Sequence, residues 1–131
     1  MKIIGVDHFT INVISMEQSI RFYEDILGLI KMEQIDMGDH GIQYFKLGSA
    51  NMLELIQYKY ETDSLIADSD FRGMYRHMAL AVENIEEVYH RISDCNGVKM
   101  LTEVSFCKAL SFWNFLFLDP NGAEVEIVQR I

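Results

Sequence analysis

The stretch Phe117-Leu118-Asp119-Pro120-Asn121-Gly122-Ala123-Glu124-Val125-Glu126-Ile127-Val128-Gln129 reads as strand, tight turn, strand. Pro120 sets φ at the first corner position, Asp119 can accept bonds from the turn amides, and Gly122 tolerates a positive φ. Beyond the turn, Val125 and Ile127 fall on one face of a strand, with Glu124, Glu126 and Val128 on the other. Carboxylates in so apolar a strand call for a solvated edge, a polar cleft or a cation.

The same stretch has an earlier copy. Phe45 recurs as Phe117, Glu54 as Glu126, Leu55 as Ile127, Ile56 as Val128 and Gln57 as Gln129, all at one offset. Upstream, His8-Phe9-Thr10-Ile11-Asn12-Val13 aligns with His77-Met78-Ala79-Leu80-Ala81-Val82. Two His-bearing strands and two Glu-bearing strands therefore recur in the same order, which marks an internal duplication.

Length and composition fit that pattern. The chain has 131 residues, half of them hydrophobic, enough for one domain or two half-domains. A formal net charge of −9 argues against nucleic acid or anionic membrane as the main partner and is compatible with binding a cation. Cys95 and Cys107 lack zinc-type spacing and read as small buried hydrophobes in a reducing compartment. An acid as early as Asp7 argues against a signal peptide, and no apolar run reaches membrane-spanning length. These features predict a cytoplasmic protein.

Taken in order, residues 3–13 read as a strand with His8, Thr10 and Asn12 on one side. Residues 15–28 read as a helix, with Ser15 and Gln18 as a capping box and Met16, Ile20, Tyr23 and Leu27 as its apolar stripe. Strands are predicted over 29–37, 42–47 and 52–58. Met52, Glu54 and Ile56 share a face of the last of these, and His40 reads as an exposed turn residue. Residues 60–73 are acidic and aperiodic and read as a linker. The second copy then runs as strand 75–82, helix 84–97 capped by Asn84, strand 99–104, loop 105–110 and strand 111–118. In the helix Ile85, Val88, Ile92 and Cys95 form the stripe, and His90 lies off it. Ala79 and Ala81 on the His77 face leave room for a ligand. Each half thus reads β-α-β-β-β.

A lone strand histidine is usually structural, but four ligand-type residues at equivalent places in two repeats are a different matter. If each half curls around a shared cleft, His8, Glu54, His77 and Glu126 supply two imidazoles and two carboxylates. That set suits Zn²⁺, Ni²⁺, Co²⁺, Fe²⁺ or Mn²⁺ better than Ca²⁺ or Mg²⁺, and it leaves an octahedral ion two positions for substrate or water. Tyr44, Lys108, Trp113 and Asn114 are further candidates for lining such a cleft.

The repeat, its two His and two Glu strands and the Asp-Pro-Asn-Gly-x-x-x-Glu ending resemble the vicinal oxygen chelate superfamily over essentially the whole chain. The resemblance implies an α+β fold in which two β-α-β-β-β modules form a cupped eight-stranded mixed sheet with helices outside. Residues 1–131 would be a single domain: module one 1–59, linker 60–73, module two 74–131. Homodimers are common in that group, and a cleft can combine modules of two chains.

Within it the four-ligand pattern is most similar to bacterial-type glyoxalase I. That similarity implies a metal-dependent lyase or isomerase acting by proton transfer on the hemithioacetal of a 2-oxoaldehyde and a thiol. One divalent transition metal would act as Lewis acid, and Glu126 or Glu54 would carry the proton. Glutathione-using relatives have an arginine at the place of Asn12 and an asparagine at that of Tyr58, so the groups that hold the glutathione carboxylate differ here. Residues 36–73 also resemble methylmalonyl-CoA epimerase, which acts beside a thioester carbonyl and is the alternative reading. An extradiol dioxygenase would need only His-His-Glu around Fe²⁺, and a drug-binding resistance protein would need no metal ligands.

Overall fold

The computed structural model describes residues 1–2, 4–60 and 76–131. The chain divides into two compact units, Met1–Leu65 and Ile66–Ile131. The linker expected over 60–73, with all of its acidic residues, lies outside the described residues apart from Tyr60.

The first unit contains β1 (His8–Asn12), α1 (Met16–Ile20), a π-helical turn (Arg21–Ile26), β2 (Ile30–Asp36), β3 (His40–Leu47) and β4 (Asn51–Tyr58). The sheet order is β1-β4-β3-β2. β1 and β4 are parallel, joined through the helix and the β2–β3 hairpin. Alternation sorts each strand. Phe45, Leu53 and Leu55 are fully buried on one face, with Ile11 and Val13 of the β1 segment close to fully buried. Each such leucine contributes about 2–3 kcal/mol by leaving water. The helical segment covers this face, with Tyr23 tilted against Phe45 at 6.1 Å. Glu54 points to the opposite face.

The helix starts as expected, the Gln18 amide donating to Ser15 Oγ at 3.2 Å. It does not continue as one α-helix to Gly28. From Arg21 the turn widens, and Leu27 N donates to Phe22 O. The extra residue per turn rotates the buried stripe. Ser19, Phe22 and Tyr23 are buried, whereas Met16, Ile20 and Leu27 are only half-buried.

The second unit contains β5 (Met78–Ala81), α2 (Ile85–Ser93), β6 (Lys99–Met100), β7 (Ser105–Cys107), β8 (Phe112–Leu118) and β9 (Glu124–Arg130). The order is β5-β9-β8-β6, with β7 also pairing β8. β5 and β9 are parallel, as β1 and β4 are. The helix caps repeat as well: Glu87 N donates to Asn84 Oδ1 at 3.2 Å. A further repeated device explains why Gln57 and Gln129 recur. Gln57 Oε1 accepts from Met16 N, and Gln129 Oε1 from Ile85 N, each at 2.8 Å. Both glutamines tie the last strand of their module to an otherwise orphaned amide at the helix start. Ile85 and Ile92 are buried, Val88 and Cys95 half-buried and His90 exposed, as the stripe predicts.

Three departures from the predicted elements have local causes. α2 ends at Ser93, with Asp94 as its C-cap and Gly97 at φ 87°. The strand expected over 99–104 lasts two residues, because the Leu101 and Thr102 amides share Leu116 O while Thr102 Oγ1 accepts from Leu116 N. The loop expected over 105–110 begins as β7, where Phe106 pairs with Trp113 and their rings stand 5.2 Å apart. Each module carries its own sheet, of four strands in the first and five in the second, and each described strand pairs within its module. The α+β class is as expected, and so is the β-α-β-β-β order of the first module, which the second repeats with β7 added. Cys95 and Cys107 are free and half-buried.

Candidate functional site

The turn that anchors β9 forms as its residues dictate. Asp119 Oδ1 accepts from Asn121 N and Ala123 N, each at 2.8 Å, and Gly122 has φ 88°. This fixes the register of β9 and carries Glu126 opposite Ala79 on β5 and Leu116 on β8. In the first unit Glu54 lies opposite Thr10 on β1 and Tyr44 on β3. The two glutamates therefore occupy matching places in matching sheets.

Each faces the histidine of its own module. His8 Nε2 is 3.9 Å from Glu54 Oε1, and His77 Nε2 is 3.5 Å from Glu126 Oε2. The other ring nitrogen is occupied by a carboxylate in both cases. His8 Nδ1 is 2.8 Å from Asp7 Oδ2, and His77 Nδ1 is 3.0 Å from Glu124 Oε2. The bond to Asp7, aided by the charge of Glu54, holds the His8 imidazole above its ordinary pKa despite some desolvation.

Asp7 and Glu124 are functional candidates that the sequence did not single out. Glu124 is almost fully buried and also binds Arg76. Its place on the face of Glu126 is legible from strand alternation, but its pairing with His77 is not. Glu54 has two further partners: Thr10 Oγ1 donates to Oε1 at 2.9 Å and Tyr44 Oη to Oε2 at 2.5 Å. The bond to Glu54, with burial, pushes the Tyr44 phenol up to about 12. Of the other lining candidates, Asn114 lies on the face of Glu126, two residues from Leu116. Trp113 shares the opposite face with Gln129, the glutamine bonded to α2, and Lys108 is exposed. His40 is not a free turn residue. It is half-buried at the start of β3, paired with Asp39 at 2.6 Å and tilted against Tyr58.

The donor set suits a transition metal. A carboxylate on Nδ1 orients an imidazole and leaves Nε2 as the ligating nitrogen, the usual arrangement around protein-bound metals. Each module supplies one such nitrogen beside one carboxylate. Among the described residues no group of three or more His, Cys, Asp or Glu side chains could by itself hold a metal ion. None of the described helices is long and apolar enough to cross a membrane.

Over residues 5–127 the chain matches, and belongs to, the Glyoxalase/Bleomycin resistance protein/Dioxygenase superfamily. It is 28% identical over 126 residues to the "Probable lactoylglutathione lyase" of Synechocystis, covering 93% of this chain and 92% of that protein. It is 25% identical over 124 residues to the lactoylglutathione lyase of Salmonella typhimurium, covering 93% and 90%. A crystal structure of a glyoxalase family protein from Bacillus cereus superposes with a TM-score of 0.83 at 18% identity, over 100% of this chain and 97% of that one. The fold is thus that of the glyoxalase family.

Proposed function

We propose that this protein is a glyoxalase I-like, metal-dependent lyase or isomerase, with His8, Glu54, His77 and Glu126 as ligands of one divalent transition metal. The observation that carries the reading is the repeated pairing. In both modules a carboxylate takes His Nδ1 while Nε2 faces the strand glutamate. A chance structural histidine would have no reason to repeat that arrangement in two modules whose other side chains differ. The lactoylglutathione lyases among the relatives agree with this chemistry.

The bound ion would polarise two neighbouring oxygens of a small 2-oxoaldehyde–thiol adduct and acidify the adjacent C–H. The chain's own part is to hold the imidazoles in one tautomer and to offer a carboxylate, Glu126 or Glu54, that accepts the carbon-bound proton and returns it to the neighbouring carbon. Ala79 and Ala81, exposed beside His77, leave space for the substrate. Asn12 and Tyr58 replace the polar groups expected for a glutathione carboxylate, which favours a different thiol. A homodimer accords with this reading.

The test is metal content and activation on one untagged sample. Bound metal is measured per chain, stripped, and replaced by Ni²⁺, Co²⁺, Zn²⁺, Mn²⁺ or Fe²⁺ while methylglyoxal is assayed with several thiols and methylmalonyl-CoA is assayed separately. Stoichiometric metal with thiol-dependent turnover is the expected result. Turnover of the CoA ester alone would replace this reading with an epimerase, and absence of metal under all conditions would remove the site.

A further inference from the structure

The two repeated glutamates sit in the same register but not among the same neighbours. Opposite Glu54 stand Thr10 and Tyr44; opposite Glu126, at the equivalent positions, stand Ala79 and Leu116. Neither alanine nor leucine carries a hydroxyl. Among the described residues the polar partner of Glu126 is His77, at 3.5 Å. Glu54 instead has one donor on each oxygen, Thr10 at 2.9 Å and Tyr44 at 2.5 Å. A duplication that repeats the helix caps and the glutamines bonded to the helix starts has diverged at these two places.

We propose that Tyr44 and Thr10 are positioning residues that pin the Glu54 carboxylate, making the two glutamates of the repeat unequal. This rests on the metal-site reading above. A carboxylate has two oxygens and about four acceptor sites, so two hydroxyl bonds leave each oxygen able to accept again. They do, however, stop the group from rotating freely. Tyr44 is well placed for the task. It lies directly across from Glu54 in an antiparallel pair, and its ring also meets the His8 ring edge-on, with centroids 6.3 Å apart and planes at 87°. One side chain thus contacts both ligand candidates of the first module. Glu54 becomes a fixed ligand. Glu126, faced by Ala79 and Leu116, has no hydroxyl at the equivalent positions to pin it in the same way.

The experiment compares the full-length parent with Tyr44→Phe, Thr10→Val and Thr10→Ser. Co²⁺ affinity is read by competition with a chelator, the visible spectrum of the Co²⁺-loaded protein is recorded, and thermal unfolding is followed without metal. Removing an orienting partner of a ligand weakens metal binding by about 10–100-fold. Tyr44→Phe and Thr10→Val are expected to do so, with an altered Co²⁺ spectrum. Thr10→Ser, which keeps the hydroxyl, is expected to match the parent. Should Tyr44→Phe fail to fold, the Thr10 pair carries the same comparison. A parent that binds one Co²⁺ while all three variants bind it equally well, with the same spectrum, overturns the pinning and leaves the metal reading standing. A parent that binds none overturns both.

Discussion

Nδ1 of His77 lies 3.0 Å from Oε2 of Glu124, so the ring is turned with its other nitrogen toward Glu126. Glu124 is itself held, almost fully buried, with Arg76 on the same oxygen. It can therefore orient the ring without being free to follow it. If His77 is a ligand, Glu124→Ala should weaken metal binding by about 10–100-fold, the usual cost of losing a ligand's outer partner. The check is a Zn²⁺ titration against a chelator, with Glu103→Ala, at an exposed carboxylate, as the control. Equal affinities in the two variants would remove Glu124 from the site.

The Asp7 contact makes a prediction about pH. His8 is held above its ordinary pKa of 6.5, first by its bond to Asp7. The folded protein therefore favours the protonated ring. The stability this contributes is fully present below 6.5 and is lost as pH rises through the raised value. Metal binding has the opposite slope, because a protonated Nε2 cannot ligate, and it should weaken as pH falls through that value. Asp7→Asn should lower the midpoint. NMR titration of the imidazole protons in metal-free protein reads this directly, and a midpoint unmoved by the substitution would contradict it.

Tyr44 provides an independent optical check on the Glu54 bond. Its phenol, pushed up to about 12, should ionise well after an unperturbed tyrosine near 10. The folded state retains this proton more tightly than the unfolded one. Stability from this group is thus complete below 10 and lost between 10 and about 12. Absorbance near 295 nm should show one late step, and Glu54→Gln should move that step to lower pH. A Glu54→Gln curve superposing on the parent's would mean that Tyr44 owes nothing to Glu54.

The repeat was legible because duplication preserves residue types where geometry is shared. Glu54 and Glu126, Gln57 and Gln129, and Ser15 and Asn84 all hold matching structural places. What escaped depends on geometry that residue types do not encode. The spacing of Met16, Ile20, Tyr23 and Leu27 is that of an α-helix, and nothing in it announces a π turn from Arg21. Asp7 and Glu124 look like ordinary acids beside strands, and only the ring orientations of His8 and His77 make them tethers. The pairing of Tyr44 with Glu54 needed the β3–β4 register to within one residue, since a single slip sends every side chain to the other face. β7 was missed because Ser105–Cys107 is short, and what holds it is Trp113 on the neighbouring strand.

The Asp119 turn supplies the test of the fold itself. Asp119 and Asn121 are buried, and one carboxylate oxygen satisfies two backbone amides, those of Asn121 and Ala123. The Asn121 side chain closes the ring by donating to the other oxygen at 3.1 Å. The backbone of the turn is bonded too, with Asp119 N donating to Ala123 O and Gly122 N to Asp119 O. Asp119→Ala would leave one buried and one half-buried amide without their acceptor, at roughly 1–3 kcal/mol each. The expected loss is about 2–4 kcal/mol, allowing for partial access of water. Asp119→Asn keeps one carbonyl oxygen for those amides and should cost less than half as much. Urea unfolding of the two variants measures the difference. Because this turn sets the register that carries Glu124 to its contact with His77, the alanine variant should also disturb the His77 ring resonances. Equal stabilities for the alanine and asparagine variants would mean that the carboxylate does not organise the turn.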